Sequence, residues 1–439
     1  MRKSFLSTKT ALSLVLSFIL PLQMLATELG EAGKRLAALP GVSNVETLES
    51  AHFPEKYVFF IRQQLDAKDA SKGDFDQRVV LCHRGFDRPT VFVTEGYNGR
   101  YALNSNYIEE LAKLFDTNII LAEYRYFDKS MPKERNWDYL TVENSLYDLH
   151  HINETLRTMY NGKWISTGIS KGGQTTMFYR SYFPEDVDIS VPYVAPLNRA
   201  LEDVRPEIFI NDKVSTKENR QKVIDFQTLL FERKAALMPL MEEYCKEMKY
   251  TFKEPLENVF DFCVLEYSFA FWQWGYNVDR IPTREATDEQ LFGYLMGISE
   301  PSYFTNQTGN VSFNVQAARE LGYYGYYTTP FKKYLSIKTS KGYLKRLMLP
   351  TDAEDIKFSS ELYKHTVSFL SKNDPKMIYI YGEQDPWTAT GIYGLPLTKD
   401  KENLHVYLCK GGSHYTRIKS FPEETQQEII QLINKWLQE

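Results

Sequence analysis

The sequence predicts an α/β protein, with one mostly parallel, doubly wound sheet interrupted late in its strand order by a helical insertion. Three observations carry this. Between Gln77 and Val194, short β-branched apolar runs alternate with amphipathic helical patterns, the texture of parallel strands joined by crossover helices. From residue 199 to about 345 the texture turns helical and aromatic. Strand texture then returns at Met377–Tyr381 and Leu404–Leu408, ahead of a closing amphipathic helix at Glu423–Leu437.

Taken in order, the chain opens with a basic start at Arg2, Lys3 and Lys9, followed by an apolar run from Ala11 to Leu25 that ends near Ala26 and turns acidic at Glu28 and Glu31. At about 15 residues the run is short for a membrane span and has the layout of a secretory signal peptide, so residues 1–26 are read as a targeting segment and the protein as exported, periplasmic or extracellular. An uncleaved anchor is the alternative. No later stretch reaches 18 uncharged apolar residues, so no further membrane contact is expected.

The catalytic unit is expected over 27–198 and 346–439. Strands are predicted at Arg78–Cys82, Thr90–Thr94, Asn118–Glu123, Trp164–Gly168 and Ile189–Val194, with helices at Tyr107–Phe115, Val142–Tyr160 and Gly172–Tyr182. In the second of these helices Leu146, Leu149, Ile152 and Leu156 recur at spacings of three and four, which makes one apolar stripe. The insertion 199–345 is expected to be a helical cap. Its longest predicted helix, Lys222–Lys249, is interrupted at Pro239, and its ring-dense segment Tyr267–Tyr276 supplies either core or pocket lining.

Composition narrows the function. Over 439 residues, 43% are hydrophobic and 25% charged, which excludes a disordered, collagenous or coiled-coil chain. Lys plus Arg total 52 against 57 Asp plus Glu, a net charge of −5, and a nucleic-acid binder would carry a basic excess instead. Four cysteines are too few for a disulfide scaffold, although Cys245 and Cys263 could pair. With no CxxC pair and no HExxH among seven histidines, neither a zinc site nor any other cofactor is expected.

The strongest chemical signal is Gly168-Ile-Ser170-Lys-Gly172-Gly173, which follows a predicted strand and opens a predicted helix. That is the setting of a nucleophile elbow, in which a serine occupies a strained turn and its neighbours must lack side chains that would clash. A serine nucleophile needs a base, and the base an orienting acid. In the α/β-hydrolase order these follow as acid and then histidine, on loops after late strands. Of the three histidines downstream, His405 lies inside a strand and His365 in a helical pattern, which leaves His414 in the turn Gly411–Tyr415. Asp385 directly follows the strand Met377–Tyr381 and is the preferred acid, with Glu383 as its close rival. The oxyanion hole is expected from the backbone N–H of Lys171 and from that of Gly96 or Tyr97 in the loop after Thr90–Thr94. No acid–base role is expected of the Lys171 side chain.

Taken together, Phe60…Gln64-Leu-Asp66, Phe75-Asp-Gln-Arg78, Glu95-Gly96, Glu123-Tyr-Arg-Tyr126…Ser130-Met-Pro132, Leu140-Thr141…Asp148, the elbow and Asp385-Pro-Trp387 resemble secreted serine exopeptidases. The broad relatives are lysosomal prolyl carboxypeptidase and dipeptidyl peptidase II. The nearer likeness, through the serine-lysine-glycine-glycine elbow, is to bacterial prolyl tri- and tetrapeptidyl aminopeptidases, and it runs in motif order through nearly the whole mature chain. It implies an α/β-hydrolase fold, a helical cap between Ser170 and Asp385, and release of short peptides, tripeptides first, from a free N-terminus, with a proline preference. Lys171 stands where the lysosomal members carry Tyr, and their further cysteines are absent, which points away from carboxypeptidase or dipeptidyl activity.

An exopeptidase must count from the chain end, and a carboxylate meeting the substrate α-ammonium is the natural device. Glu95 and Glu123 are the candidates because each ends a strand at the edge where Ser170 should sit, an acid from the cap is the alternative, and a cap over that edge would bring Trp272 and Trp274 to the substrate. Peptides are thus the expected partners. Two alternatives are an esterase or lipase using the same triad, and an inactive peptide-binding protein on a hydrolase scaffold.

Overall fold

The computed structural model describes residues 28–305 and 309–439. The targeting segment read at 1–26 lies outside the described residues. Eleven strands are seen in them: β1 Val42–Thr47, β2 Glu55–Gln64, β3 Asp74–His83, β4 Thr90–Thr94, β5 Asn118–Ala122, β6 Trp164–Ile169, β7 Ile189–Tyr193, the short β8 Glu202–Asp203 and β9 Tyr323–Tyr324, β10 Met377–Gly382 and β11 Leu404–Cys409. The helices are α1 Glu31–Ala37, α2 Glu110–Phe115, α3 Val142–Arg157, α4 Lys171–Tyr182, α5 Arg205–Asp212, α6 Lys217–Glu232, α7 Lys234–Glu247, α8 Leu256–Trp274, α9 Asp288–Met296, α10 Val311–Gln316, α11 Glu361–Lys372 and α12 Glu423–Gln438.

Nine strands form one sheet in the order β1-β2-β3-β5-β4-β6-β7-β10-β11. From β5 to β11 all neighbours run parallel, while β1, β2 and β3 add an antiparallel flank. The central strands β4, β5, β7 and β10 are buried throughout, as expected of strands covered on both faces. One apolar layer packs α1, α3, α4 and α11 on one face, and a second packs α2 and α12 on the other. This is the α/β-hydrolase arrangement. The chain leaves β4 for β5 on one side and returns through α3 to β6 on the other, so β4 marks the switch in strand order where a ligand crevice opens at the carboxyl edge.

A third apolar core belongs to the helices between β7 and β10, and it joins the catalytic unit through Tyr124, Phe127, Trp137 and Trp387. Its buried side chains continue through Leu347, Leu349 and Ala353, past residue 345. One local expectation is corrected here. The long predicted helix breaks at Arg233, not at Pro239; Pro239 lies inside α7, which runs on past it. Cys245 and Cys263 are free thiols in this cap core, as are the buried Cys82 and Cys409 elsewhere. No helix of the described residues is long and apolar enough to cross a membrane.

Candidate active site

Ser170 sits between β6 and α4 with φ 57° and ψ −117°, a conformation that L-residues avoid. Packing holds it there. The Ser170 N–H donates to the Tyr193 carbonyl of β7 at 2.9 Å, and the Ser170 carbonyl accepts from the Gln174 N–H at 2.8 Å. A side chain at Gly168 would run into the Gly172 carbonyl of the first α4 turn, so strand and helix can approach this closely only over a glycine. The elbow points Ser170 into a cavity of about 690 Å³ between the sheet edge and the cap.

His414 and Asp385 reach the same edge from the loops after β11 and β10. The His414 Nδ1–H donates to Asp385 Oδ2 at 2.6 Å, and both side chains are buried. Asp385 has an extended backbone (φ −74°, ψ 120°), and its Oδ1 accepts from the Trp387 N–H at 3.1 Å, which fixes the carboxylate for the imidazole. With Nδ1 engaged, Nε2 is the ring nitrogen free for Ser170, and both residues line the cavity. The rival acid Glu383 is exposed and accepts from the Gly411 N–H at 2.8 Å, so it braces the histidine loop from outside. The cap braces it from above. The His414 N–H donates to the Gln273 carbonyl at 2.8 Å, and the Trp274 ring lies edge-on to the imidazole at 5.5 Å.

The backbone groups expected to form the oxyanion hole are placed differently on its two sides. The Lys171 N–H belongs to the first turn of α4, where no intrahelical acceptor exists and the helix end is positive. Opposite it, the loop after β4 presses on the elbow, and a side chain on Gly96 would come within 2.7 Å of the Gly172 nitrogen. The N–H groups of Gly96 and Tyr97 are nevertheless turned to Glu95 Oε1, at 2.9 and 3.1 Å. Either can meet a developing oxyanion only by exchanging that carboxylate oxygen for it. The reason is local: Glu95 folds back over its own loop, with Oε2 accepting from the Tyr101 hydroxyl at 2.5 Å. Burial raises the Glu95 carboxyl above its usual range against the pull of these three donors. The Lys171 side chain turns from the serine toward this loop. Its ammonium donates to the Gly96 carbonyl at 2.6 Å and lies 3.3 Å over the Tyr124 ring, and burial pushes it well below its usual range.

Two substrate-binding expectations are overturned. Glu123 is fully buried beneath the sheet edge and absent from the cavity wall. Its oxygens take the Arg78 guanidinium, the Gly99 N–H at 2.8 Å and the Ser130 hydroxyl at 2.9 Å, which makes it a structural ion pair. Trp272 is 2% exposed and packs into the cap core against Phe271, whereas Trp274 is 38% exposed and lines the cavity. Two carboxylates that sequence reasoning left unnamed line the cavity from the cap, Glu266 on α8 and Glu300 after α9. Their only sequence signal was an acid in the ring-rich second half of α8 and one just ahead of a proline.

The PS-10 peptidase S37 family matches residues 29–430. A prolyl tri/tetrapeptidyl aminopeptidase of Streptomyces mobaraensis is 27% identical over 416 residues, covering 92% of this chain and 84% of that protein. The human lysosomal Pro-X carboxypeptidase is 25% identical over 216 residues, 45% of this chain and 42% of that protein. Among solved structures, a proline iminopeptidase from Mycobacterium smegmatis covers 90% of this chain and 99% of its own at a TM-score of 0.41 and 14% identity. Matched from residue 29 to residue 430, the chain belongs to the PS-10 peptidase S37 family and is a serine peptidase.

Proposed function

We propose that the protein is an exopeptidase that releases short peptides, tripeptides first, from free N-termini by way of an acyl-enzyme, with a preference for proline before the cut. The single observation that carries this reading is a capped cavity that holds Ser170, His414 and the carboxylates Glu95, Glu266 and Glu300 together. Ser170 Oγ attacks the scissile carbonyl while His414 Nε2 takes its proton. Asp385 holds the tautomer with Nδ1 protonated and stabilises the imidazolium. The Lys171 N–H meets the oxyanion, and the Gly96–Tyr97 loop completes the hole once Glu95 Oε1 yields. The imidazolium then protonates the leaving amine, and water attacks the acyl-enzyme by the same path in reverse. The similarity to a tri/tetrapeptidyl aminopeptidase over 92% of the chain supports the peptide length and the proline preference. The basic and apolar pattern of residues 1–26 supports export, which would set the enzyme among periplasmic or extracellular peptides.

The reading is tested by blocking the substrate amine. A charge-assisted contact of a few kcal/mol makes the free N-terminus worth about 10- to 100-fold in kcat/KM. Acetylating a tripeptidyl reporter is therefore expected to cost at least about tenfold. Equal turnover of free and acetylated reporters would identify an endopeptidase or an esterase instead.

A further inference from the structure

One wall of the cavity is a single face of α8. Glu266, Ala270, Gln273 and Trp274 all line it, at positions four, seven and eight residues apart, the spacing that stacks side chains along one side of a helix. At its C-terminal end this face meets the catalytic loop, through the Gln273 carbonyl on the His414 N–H and the Trp274 ring on the imidazole. At its far end stands Glu266. Between them Ala270, the smallest of the four, leaves the wall open.

Glu266 is 4% exposed, and among the described residues no lysine, arginine or histidine pairs with it. Its partners are two phenols presented by β9 and the residues after it. Tyr326 donates to Oε2 at 2.7 Å, and Tyr324 lies 2.8 and 2.9 Å from the two oxygens. Each phenol has one proton to give, whereas a carboxylate can accept about four hydrogen bonds, so half of its capacity is open to an ammonium. A buried carboxylate without a cation is costly, and here desolvation lifts its proton affinity to a pKa of about 8. A cationic ligand entering the cavity relieves that cost. The other acids are less suited: Glu95 is held by three donors, Glu123 is paired with Arg78, and the half-buried Glu300 is engaged by Tyr244 and Ser302.

We propose that Glu266 receives the α-ammonium group of the substrate and that the α8 face is the ruler that sets how many residues lie between that group and Ser170. From Glu266 to Gln273 the helix rises about 10 Å at about 1.5 Å per residue. Three extended peptide residues span about the same distance. A peptide laid along α8 with its amine on Glu266 thus presents its third carbonyl at the triad. A dipeptide stops short, and a longer peptide must buckle. This inference rests on the exopeptidase reading above and assigns the group that reads the N-terminus.

The test is Glu266→Gln in the full chain, with kcat/KM measured on a free and an N-acetylated tripeptidyl reporter. The ratio of the two is expected to fall from at least about tenfold to within about threefold of one, and the preference for tripeptidyl over dipeptidyl reporters to flatten with it. Glu266→Asp keeps the charge, and its ratio should stay above that of the Gln variant. Thermal unfolding near wild type shows that each variant folds. A wild-type ratio in Glu266→Gln, equal ratios in the Gln and Asp variants, or loss of the ratio in Glu300→Gln alone would overturn the assignment. A wild-type enzyme that does not distinguish the two reporters would remove the exopeptidase reading itself, a separate outcome from a discriminating wild type with a neutral Glu266 variant.

Discussion

Ser170→Ala and His414→Ala are each expected to lower kcat by at least about 10⁴-fold while the protein folds as before, because nucleophile and base act as one unit and either loss abolishes the acyl-enzyme route. The check is steady-state turnover of a tripeptidyl reporter beside a thermal melt. The reason to expect normal folding is structural. Ser170 is held in its unusual backbone conformation by main-chain bonds to Tyr193 and Gln174, neither of which involves the hydroxyl. Removing Oγ leaves the elbow standing. The Ser170→Ala and His414→Ala losses should also fail to multiply in the double variant, since neither residue works without the other. A Ser170→Ala variant with activity within tenfold of wild type would exclude Ser170 as the nucleophile, and a His414→Ala variant that active would exclude His414 as the base.

The second large effect is expected at the acid. Asp385→Asn should cost about 10⁴-fold in kcat, because an amide nitrogen facing Nδ1 favours the tautomer that holds the proton on Nε2, where it cannot accept one from serine. Glu383→Gln, two residues earlier and at the same sheet edge, should stay within a few-fold of wild type. Its carboxylate is exposed and bonds only the Gly411 backbone, and a Gln oxygen can accept the same bond. Assaying the two variants side by side separates them. A dead Glu383→Gln with a nearly normal Asp385→Asn would reverse the assignment.

The central parallel strands were readable because they are buried on both faces, which favours compact runs rich in β-branched and apolar residues such as Thr90–Thr94 and Asn118–Ala122. Of the antiparallel flank only β3 was readable, through Arg78–Cys82; β1 and β2 were not. β1 is half-buried only at Val42 and Val45, is exposed at its other four positions and carries Ser43, Asn44 and Glu46, so nothing in it contrasts with a loop. Ser170, Asp385 and His414 were legible for a topological reason: Ser170 directly follows β6, and Asp385 and His414 lie on the short loops after β10 and β11, so strand position brings them to one edge. Glu123 also follows a strand there, yet its side chain turns inward to Arg78, and such a choice of face depends on a partner distant in sequence. Trp272 and Trp274 show the same limit on a helix. Two positions apart turns a side chain by about 200°, so one ring enters the core and the other the cavity. Glu266 was hidden because its neighbours in the cavity come from distant segments, including Tyr324 and Tyr326 from far along the chain.

The direct measurement is mass spectrometry of the products formed from an unmodified linear peptide with proline at its third position. Intact tripeptide from the N-terminus should appear first, together with the peptide shortened by three residues, and neither should form from the same peptide acetylated at its amine. Internal fragments, single residues shed from the C-terminus, or the same products from the acetylated peptide would contradict a peptidase that counts from a free N-terminus.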